Sequence, residues 1–176
     1  LKQILQYKND EDRTILLSKS EPVDRKDAPD GLKQMFEDLA FHVKGDPKTG
    51  RRCWGLSGVQ IGHLYRIMCM QYGNELIYIA NPVIVRTYGE PTLNSEGCSS
   101  ILYGSSNYWV KRFNIVKVKA VRVTFDGDKP TFRVSLMKEH GLYAAILQHE
   151  IDHMEGITLF ERTTMGPISK LEKGKD

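Results

Sequence analysis

Residues 138–155 read Lys-Glu-His-Gly-Leu-Tyr-Ala-Ala-Ile-Leu-Gln-His-Glu-Ile-Asp-His-Met-Glu, with Gly156 next. Leu142, Ala145, Ile146, His149 and His153 recur at three- and four-residue intervals, which predicts one helix carrying them on one face. Gly156 stands where a C-terminal cap belongs, because glycine takes up left-handed backbone without a Cβ penalty. Within this helix, Gln148-His149-Glu150-Ile151-Asp152-His153 sets two imidazoles at i and i+4, so both can reach one ion. Glu150 projects beside the same point and can handle the proton of a water there. Without an ion, the helix would bury two imidazoles with no evident partners. The stretch therefore predicts a metal site on the central helix of the fold.

Upstream, the period changes. Tyr65–Gln71 and Glu75–Ala80 read as strands joined at Gly73-Asn74, with a break at Asn81-Pro82 before Val83–Val85 resume. Ile115–Phe125 is the clearest strand. Val116 and Val118 alternate with Lys117 and Lys119, then Val121, Val123 and Phe125 alternate in the opposite phase, which predicts a bulge at Ala120-Val121. Asp126-Gly127-Asp128 turns it toward a strand over Thr131–Val134. Nearer the start, residues 3–23 read as an arm packed on the surface. Asp27 or Asp30 is the expected cap of a helix reaching Val43, with Pro29 near its start and an apolar stripe of Leu32, Met35, Phe36, Leu39 and Val43. Residues 45–52 read as an exposed loop and 170–176 as a charged, fraying tail. The order predicts an α+β fold, with antiparallel or mixed sheets packed around the central metal-binding helix.

A chain of 176 residues fits one domain of about 100–200 residues, here residues 1–176 as a single catalytic unit. It holds 25 Lys and Arg against 22 Asp and Glu, too small an excess to demand nucleic acid as a partner. The longest apolar run, Leu142–Leu147, is far short of the roughly 20 residues of a membrane span. The first twenty residues hold no signal-type apolar core, and residue 1 is Leu, as expected of a trimmed or replaced N-terminus. Three cysteines, Cys53, Cys69 and Cys98, form no C-x-x-C pair, which favours a reducing compartment.

A catalytic centre of this kind needs a third protein ligand. One zinc protease class continues the two-His motif with a glycine and a third histidine. Gly156 is present, but Leu159 occupies the histidine position. The short charged remainder offers no convincing downstream ligand. Upstream, Asn94-Ser95-Glu96-Gly97-Cys98-Ser99-Ser100 is a small-residue turn with one thiol, so Cys98 is the leading candidate. Its thiolate offsets half the charge of a divalent ion.

Three segments in order now resemble the peptide deformylase family: Gly55-Leu56-Ser57-Gly58-Val59-Gln60, Glu96-Gly97-Cys98-Ser99-Ser100 and Gln148-His149-Glu150-Ile151-Asp152-His153. Ile4-Leu5, Pro22-Val23, Asn81-Pro82 and Leu159-Phe160 fit the same pattern, so the resemblance spans about residues 3–162. It implies that Cys98, His149 and His153 hold one divalent metal ion, iron(II) in the cell, with zinc, nickel or cobalt as substitutes. It implies Glu150 as base and then acid, and Gln60 and the Ser99 backbone N–H as donors to the formyl oxygen. The reaction would be hydrolysis of N-formyl-methionyl peptides on nascent chains to formate and a free N-terminus. The implied setting is the cytoplasm of a bacterial or phage-infected cell, with an organelle stroma or matrix as the alternative, as a monomer in transient contact with the ribosome and with neither membrane nor specific nucleic acid as a partner. Glu96 would pair with Arg112 and hold the Cys98 turn, and Asp152 would orient ligands from outside. Leu142, Ala145 and Ile146 suit an apolar wall for the methionine side chain. The substrate backbone would lie between Gly55 and Gly97, where missing side chains permit close approach.

The chain departs from the family pattern at Cys53, where glycine is usual, at Ser57-Gly58, where two alanines are usual, and at Ser99, where leucine is usual. Ser99 keeps its backbone N–H. Ser57-Gly58 is expected to loosen the first segment, and Cys53 to be a packing variant. Two rival readings are a metallopeptidase cleaving internal bonds and a non-catalytic metal- or peptide-binding module. The first does not explain Gln60 or Glu96-Gly97-Cys98, and the second needs neither Glu150 nor Gln60.

Overall fold

The computed structural model describes every residue except 46, 48, 49, 51, 102–106 and 168–176, with backbone alone at 164–167. Part of the expected 45–52 loop and all of the 170–176 tail thus lie outside the described residues. Six strands form one sheet: β1 (Gly55–Ser57), β2 (Ile67–Tyr72), β3 (Glu75–Glu96), β4 (Tyr108–Asp126), β5 (Lys129–His140) and β6 (Thr163–Pro167). Their order is β1-β2-β3-β4-β5, with β6 beside β4, and every ladder is antiparallel. The parallel element among the described residues is a lone bridge between Glu21 and Tyr65. β5 follows β4 from Asp126 to Ile115, and β6 takes up the same edge at Val110 and Tyr108. Gly73 (φ 58) and Gly127 (φ 59) begin the two hairpin turns with the left-handed backbone that glycine adopts freely.

The expected break at Asn81-Pro82 is a bulge inside a 22-residue strand. Ala80 pairs with Val121 and Val83 with Lys119, so Asn81 and Pro82 together oppose Ala120. Proline has no N–H to lose at a bulge. Asn81 adopts φ 51, and its side chain accepts the Val23 N–H and donates to the Val23 carbonyl, both at 2.8 Å. The bulge expected on β4 therefore lies on its neighbour, while β4 pairs with β5 without a slip. The phase change along β4 has another cause. Val116, Val118 and Ala120 face the core shared with α3 (Gly141–Met154), and Val121 and Val123 face the core shared with α2 (Leu32–Lys44). One regular strand is covered on both faces, each over a different length.

Helix α2 buries Leu32, Phe36, Leu39 and Val43 as its spacing predicts, with Met35 packed alongside. Its N-cap is Gly31 in left-handed backbone, without a side-chain cap, and neither Asp27 nor Asp30 serves. The arm contains a further helix, α1 (Asp10–Leu16), which the sequence reading omits. Seven residues carry too little periodicity to stand out. Asn9 caps it by accepting the Asp12 N–H, and Leu16 is fully buried. The arm also ties two distant segments together, since Leu5 N–H donates to the Gln60 carbonyl and Tyr7 N–H to the Ser100 carbonyl, both at 2.8 Å.

Helix α3 begins at Gly141, three residues later than its apolar pattern suggests, because Lys138–His140 remain in the β5 ladder. Its second half is buried nearly all round, including Gln148, Glu150, Asp152 and His153. Ala144, Leu147, Ile151 and Met154 pack against the sheet, and the opposite side turns to the cleft described below. Gln148 fastens it to β4 by accepting the Phe113 N–H at 3.0 Å and donating to the Phe113 carbonyl at 2.8 Å. A short helix α4 (Leu159–Arg162) follows, capped reciprocally by Thr158 and Glu161.

Gly156 ends α3 as predicted, at φ 72 with its N–H on the His153 carbonyl. A Cβ there would stand 2.3 Å from the Leu17 carbonyl oxygen, so the glycine also lets α1 approach. Gly156→Ala is expected to cost about 1–3 kcal/mol from backbone strain plus the clash. Thermal unfolding measures it, and an unchanged midpoint would contradict this close approach.

Candidate active site

Helical spacing on α3 brings the two imidazoles together, and the turn after β3 brings the thiol. His153 Nε2 lies 3.2 Å from His149 Nε2 and 3.3 Å from Cys98 Sγ. The three donor atoms all fall within 4.8 Å of one another. Glu96 Oε2 sits 2.9 Å from His149 Nδ1. An ionised carboxylate only accepts, so Nδ1 carries a hydrogen and Nε2 is the ring nitrogen that faces the cluster. Two nitrogen atoms and a sulfur facing one another at this range repel unless a shared proton or a metal cation lies between them. The mixed borderline and soft donor set suits a divalent transition ion, and these residues fit one.

Behind this cluster runs a chain of charges, buried at Arg112 and Asp152 and reaching the surface at Arg162. Arg112 grips Glu96 with two bonds, Nε to Oε1 at 2.9 Å and Nη2 to Oε2 at 3.0 Å. Its Nη1 donates to Asp152 Oδ2 at 2.5 Å. Asp152 in turn accepts Nε and Nη2 of Arg162 at 3.0 and 2.9 Å. Burial alone would raise the Glu96 pKa, but hydrogen bonds from His149 and Arg112 outweigh it and hold the carboxyl below its ordinary range. Asp152 makes no described bond to a ligand histidine, so any orienting effect passes through Arg112 and Glu96 to His149. Arg162 was not anticipated: a single arginine at the end of a four-residue helix leaves no sequence pattern.

Gln60 is buried in a 3-10 turn, Gly58–Ile61. Its Nε2 donates to Ser100 Oγ at 3.2 Å and lies 3.6 Å from Cys98 Sγ. Its Oε1 accepts both the N–H and the hydroxyl of Ser57 at 3.0 Å. The expected looseness of Ser57-Gly58 is therefore reversed. Ser57 is fully buried and bonded. A Cβ on Gly58 would stand 2.8 Å from both the His63 carbonyl oxygen and Ile67 Cγ1, so the turn packs closely. Ser57 and Ser100 were missed as side chains with work at the site, since nothing local in the sequence marks a hydroxyl as a partner of a distant amide.

Glu150 is almost fully buried, and its Oε2 has no hydrogen-bond partner among the described residues. Burial pushes its pKa up to about 7, against the opposing effect, chiefly, of His149. A cleft of about 710 Å³ opens over this carboxyl and the metal cluster. Gln60, Cys98, Ser99, His149 and Glu150 all border it, whereas His153 is buried behind. Ser99 is steadied from outside, where its carbonyl accepts Gln6 Nε2 at 3.1 Å. Ala145 and Ile146 line the wall and Leu142, half exposed, the mouth. Gly55 and Gly97 also border the cleft. A Cβ on Gly55 would lie 2.8 Å from Ile146 Cγ2 and 3.0 Å from Glu150 Oε1. That glycine thus admits α3 itself, a demand the sequence reading assigned only to substrate. Cys53 lies outside the donor cluster, packed against the α2 core. Burial, foremost, pushes its thiol up to about 12, so it stays protonated at neutral pH.

The family description polypeptide deformylase matches residues 1–170. The chain belongs to that family. The peptide deformylase of Heliobacterium modesticaldum is 32% identical over 148 residues, covering 84% of this chain and 87% of that protein. The crystal structure of the Thermus thermophilus peptide deformylase superposes with a TM-score of 0.70 at 30% identity, covering 92% of this chain and 85% of that one. The Thermotoga maritima peptide deformylase shares the fold with a TM-score of 0.73 at 23% identity, over 94% of this chain and 99% of that one. The α+β reading and the resemblance drawn from the three segments both hold. The chain is a metal-dependent hydrolase that removes the formyl group from the N-terminus of new polypeptides. No helix among the described residues is long and apolar enough to cross a membrane.

Proposed function

We propose that Glu150, Gln60 and Ser99 carry out the hydrolysis beside an ion held by Cys98, His149 and His153, within one catalytic domain. The observation behind this proposal is the buried Glu150 carboxyl, with one oxygen unpartnered among the described residues, next to three converging donor atoms. When bound, a divalent ion lowers the pKa of water toward about 7 and makes attack available at neutral pH. Glu150 takes a proton from the water whose oxygen adds to the formyl carbon. It then returns a proton to the amide nitrogen as the carbon–nitrogen bond breaks, leaving formate and a free amine. Gln60 Nε2 and the Ser99 N–H donate to the formyl oxygen as negative charge develops on it. Glu96, braced by Arg112 and Asp152, holds the His149 ring with Nε2 facing inward. Ala145 and Ile146 receive the methionine side chain with Leu142 at the rim, and the peptide backbone lies between Gly55 and Gly97.

Formyl-Met-Ala-Ser and the acetylated peptide of the same sequence test this. Formate from the first, with no internal cleavage of either, is the expected result; internal cleavage of both would establish a peptidase instead. Gln60→Leu is expected to lower kcat by about 10²-fold or more with metal content intact, as removal of one oxyanion donor does. An unchanged kcat would place Gln60 outside the chemistry.

A further inference from the structure

We propose that Ser57 is the positioning residue that fixes which way the Gln60 carboxamide points, a role that depends on Gln60 being a donor to the substrate. A carboxamide has two ends of nearly equal shape, and only one of them donates. If it turned over, Oε1 would face the Cys98 sulfur and the cleft, presenting an acceptor where negative charge develops. Ser57 opposes this from the far end with two donors from one residue, its N–H and its hydroxyl, both 3.0 Å from Oε1. The N–H cannot reverse its polarity, so it sets the sense. The hydroxyl adds a second bond to the same oxygen. On the nitrogen side, Ser100 Oγ takes one hydrogen at 3.2 Å, and Cys98 Sγ lies 3.6 Å away. Ser57, Gln60 and Ser100 are all at most 1% exposed, so water does not compete for these bonds. The arm adds a backbone brace, through Leu5 on the Gln60 carbonyl and Tyr7 on the Ser100 carbonyl.

The Ser57 hydroxyl has two other partners within reach, the Gln60 backbone N–H, which it caps, and the Glu150 carboxyl, and the test must separate the positioning role from both. Ser57→Ala removes the hydroxyl and leaves the N–H. Loss of one of two bonds to Oε1 is expected to lower kcat about five- to tenfold with KM changed by less than about twofold. In a Gln60→Leu background the same substitution is expected to change nothing further, because the group it positions is gone. In the metal-free protein, 15N relaxation of the Gln60 side-chain amide is expected to show a lower order parameter in Ser57→Ala than in the parent. An equal loss of kcat from Ser57→Ala in both backgrounds would overturn the proposal and direct the hydroxyl to Glu150 or to the cap. An unchanged order parameter would overturn it without reference to turnover. Wild-type kcat in Gln60→Leu alone would instead overturn the donor role of Gln60, and the relaxation measurement would still decide the clamp.

Discussion

Glu150→Gln is expected to retain the metal and lose turnover by about 10³–10⁴-fold, the upper part of the range for a general acid–base group. The size follows from two uses of one carboxyl, first to take a proton from water and then to return one to the leaving nitrogen. The amide matches the carboxylate in shape, which matters because the Gly55 backbone lies close against it. It cannot take a proton. Glu150 is not among the three clustered donor atoms, so the ligand set survives the change. Metal content and formate release on the same sample provide the check. Loss of the ion, or activity within about tenfold of the parent, would remove Glu150 from its assigned role.

The parts of this site that were legible in sequence are those encoded by local periodicity. His149 and His153 on α3 need only the helical repeat to meet, and Gly156 needs only its freedom to cap. The third donor is a different matter. Cys98 reaches His153 across 55 positions, and no spacing rule carries such a contact, so its place rested on elimination and resemblance. The same limit hid the far end of the Glu96–Arg112–Asp152 chain, where Arg162 arrives from a later helix. Along β4 the apolar pattern was read correctly and its cause was not. A phase change looks identical whether a residue is inserted or the strand is covered on two faces, and only the packing of Val118 toward α3 and Val121 toward α2 decides between them. At Ser57 the local rule pointed the wrong way. Small residues suggest a loose segment, but in this turn the small side chains let it pack closely and the hydroxyl bonds a buried amide.

Cys98→Ser is expected to strip the metal, while Cys53→Ser is expected to leave it bound. Both changes replace sulfur with oxygen in a half-buried side chain, so their difference isolates position. At Cys98 a donor that ionises readily near a cation is exchanged for a hydroxyl that stays protonated. The remaining pair of imidazoles gives two ligands where a catalytic centre of this kind uses three. At Cys53 the thiol is held protonated by burial and borders the cleft beside Ser99, but it contributes no atom to the donor cluster, so the exchange touches packing near α2, the Ser99 contact and the weak contact with the His42 carbonyl at 3.6 Å without removing a ligand. Metal content after anaerobic iron(II) loading, and again after nickel loading, measures both variants. The mixed donor set accepts either ion, and affinity order alone does not select between them. A thiolate ligand makes air exposure a second readout. The iron form of the parent is expected to lose activity in air as the centre oxidises, and the nickel form to persist. Full metal retention by Cys98→Ser with loss from Cys53→Ser would mean that the wrong thiol had been assigned. The positions given to Gly97 and Ser99 beside the substrate would then fall with it.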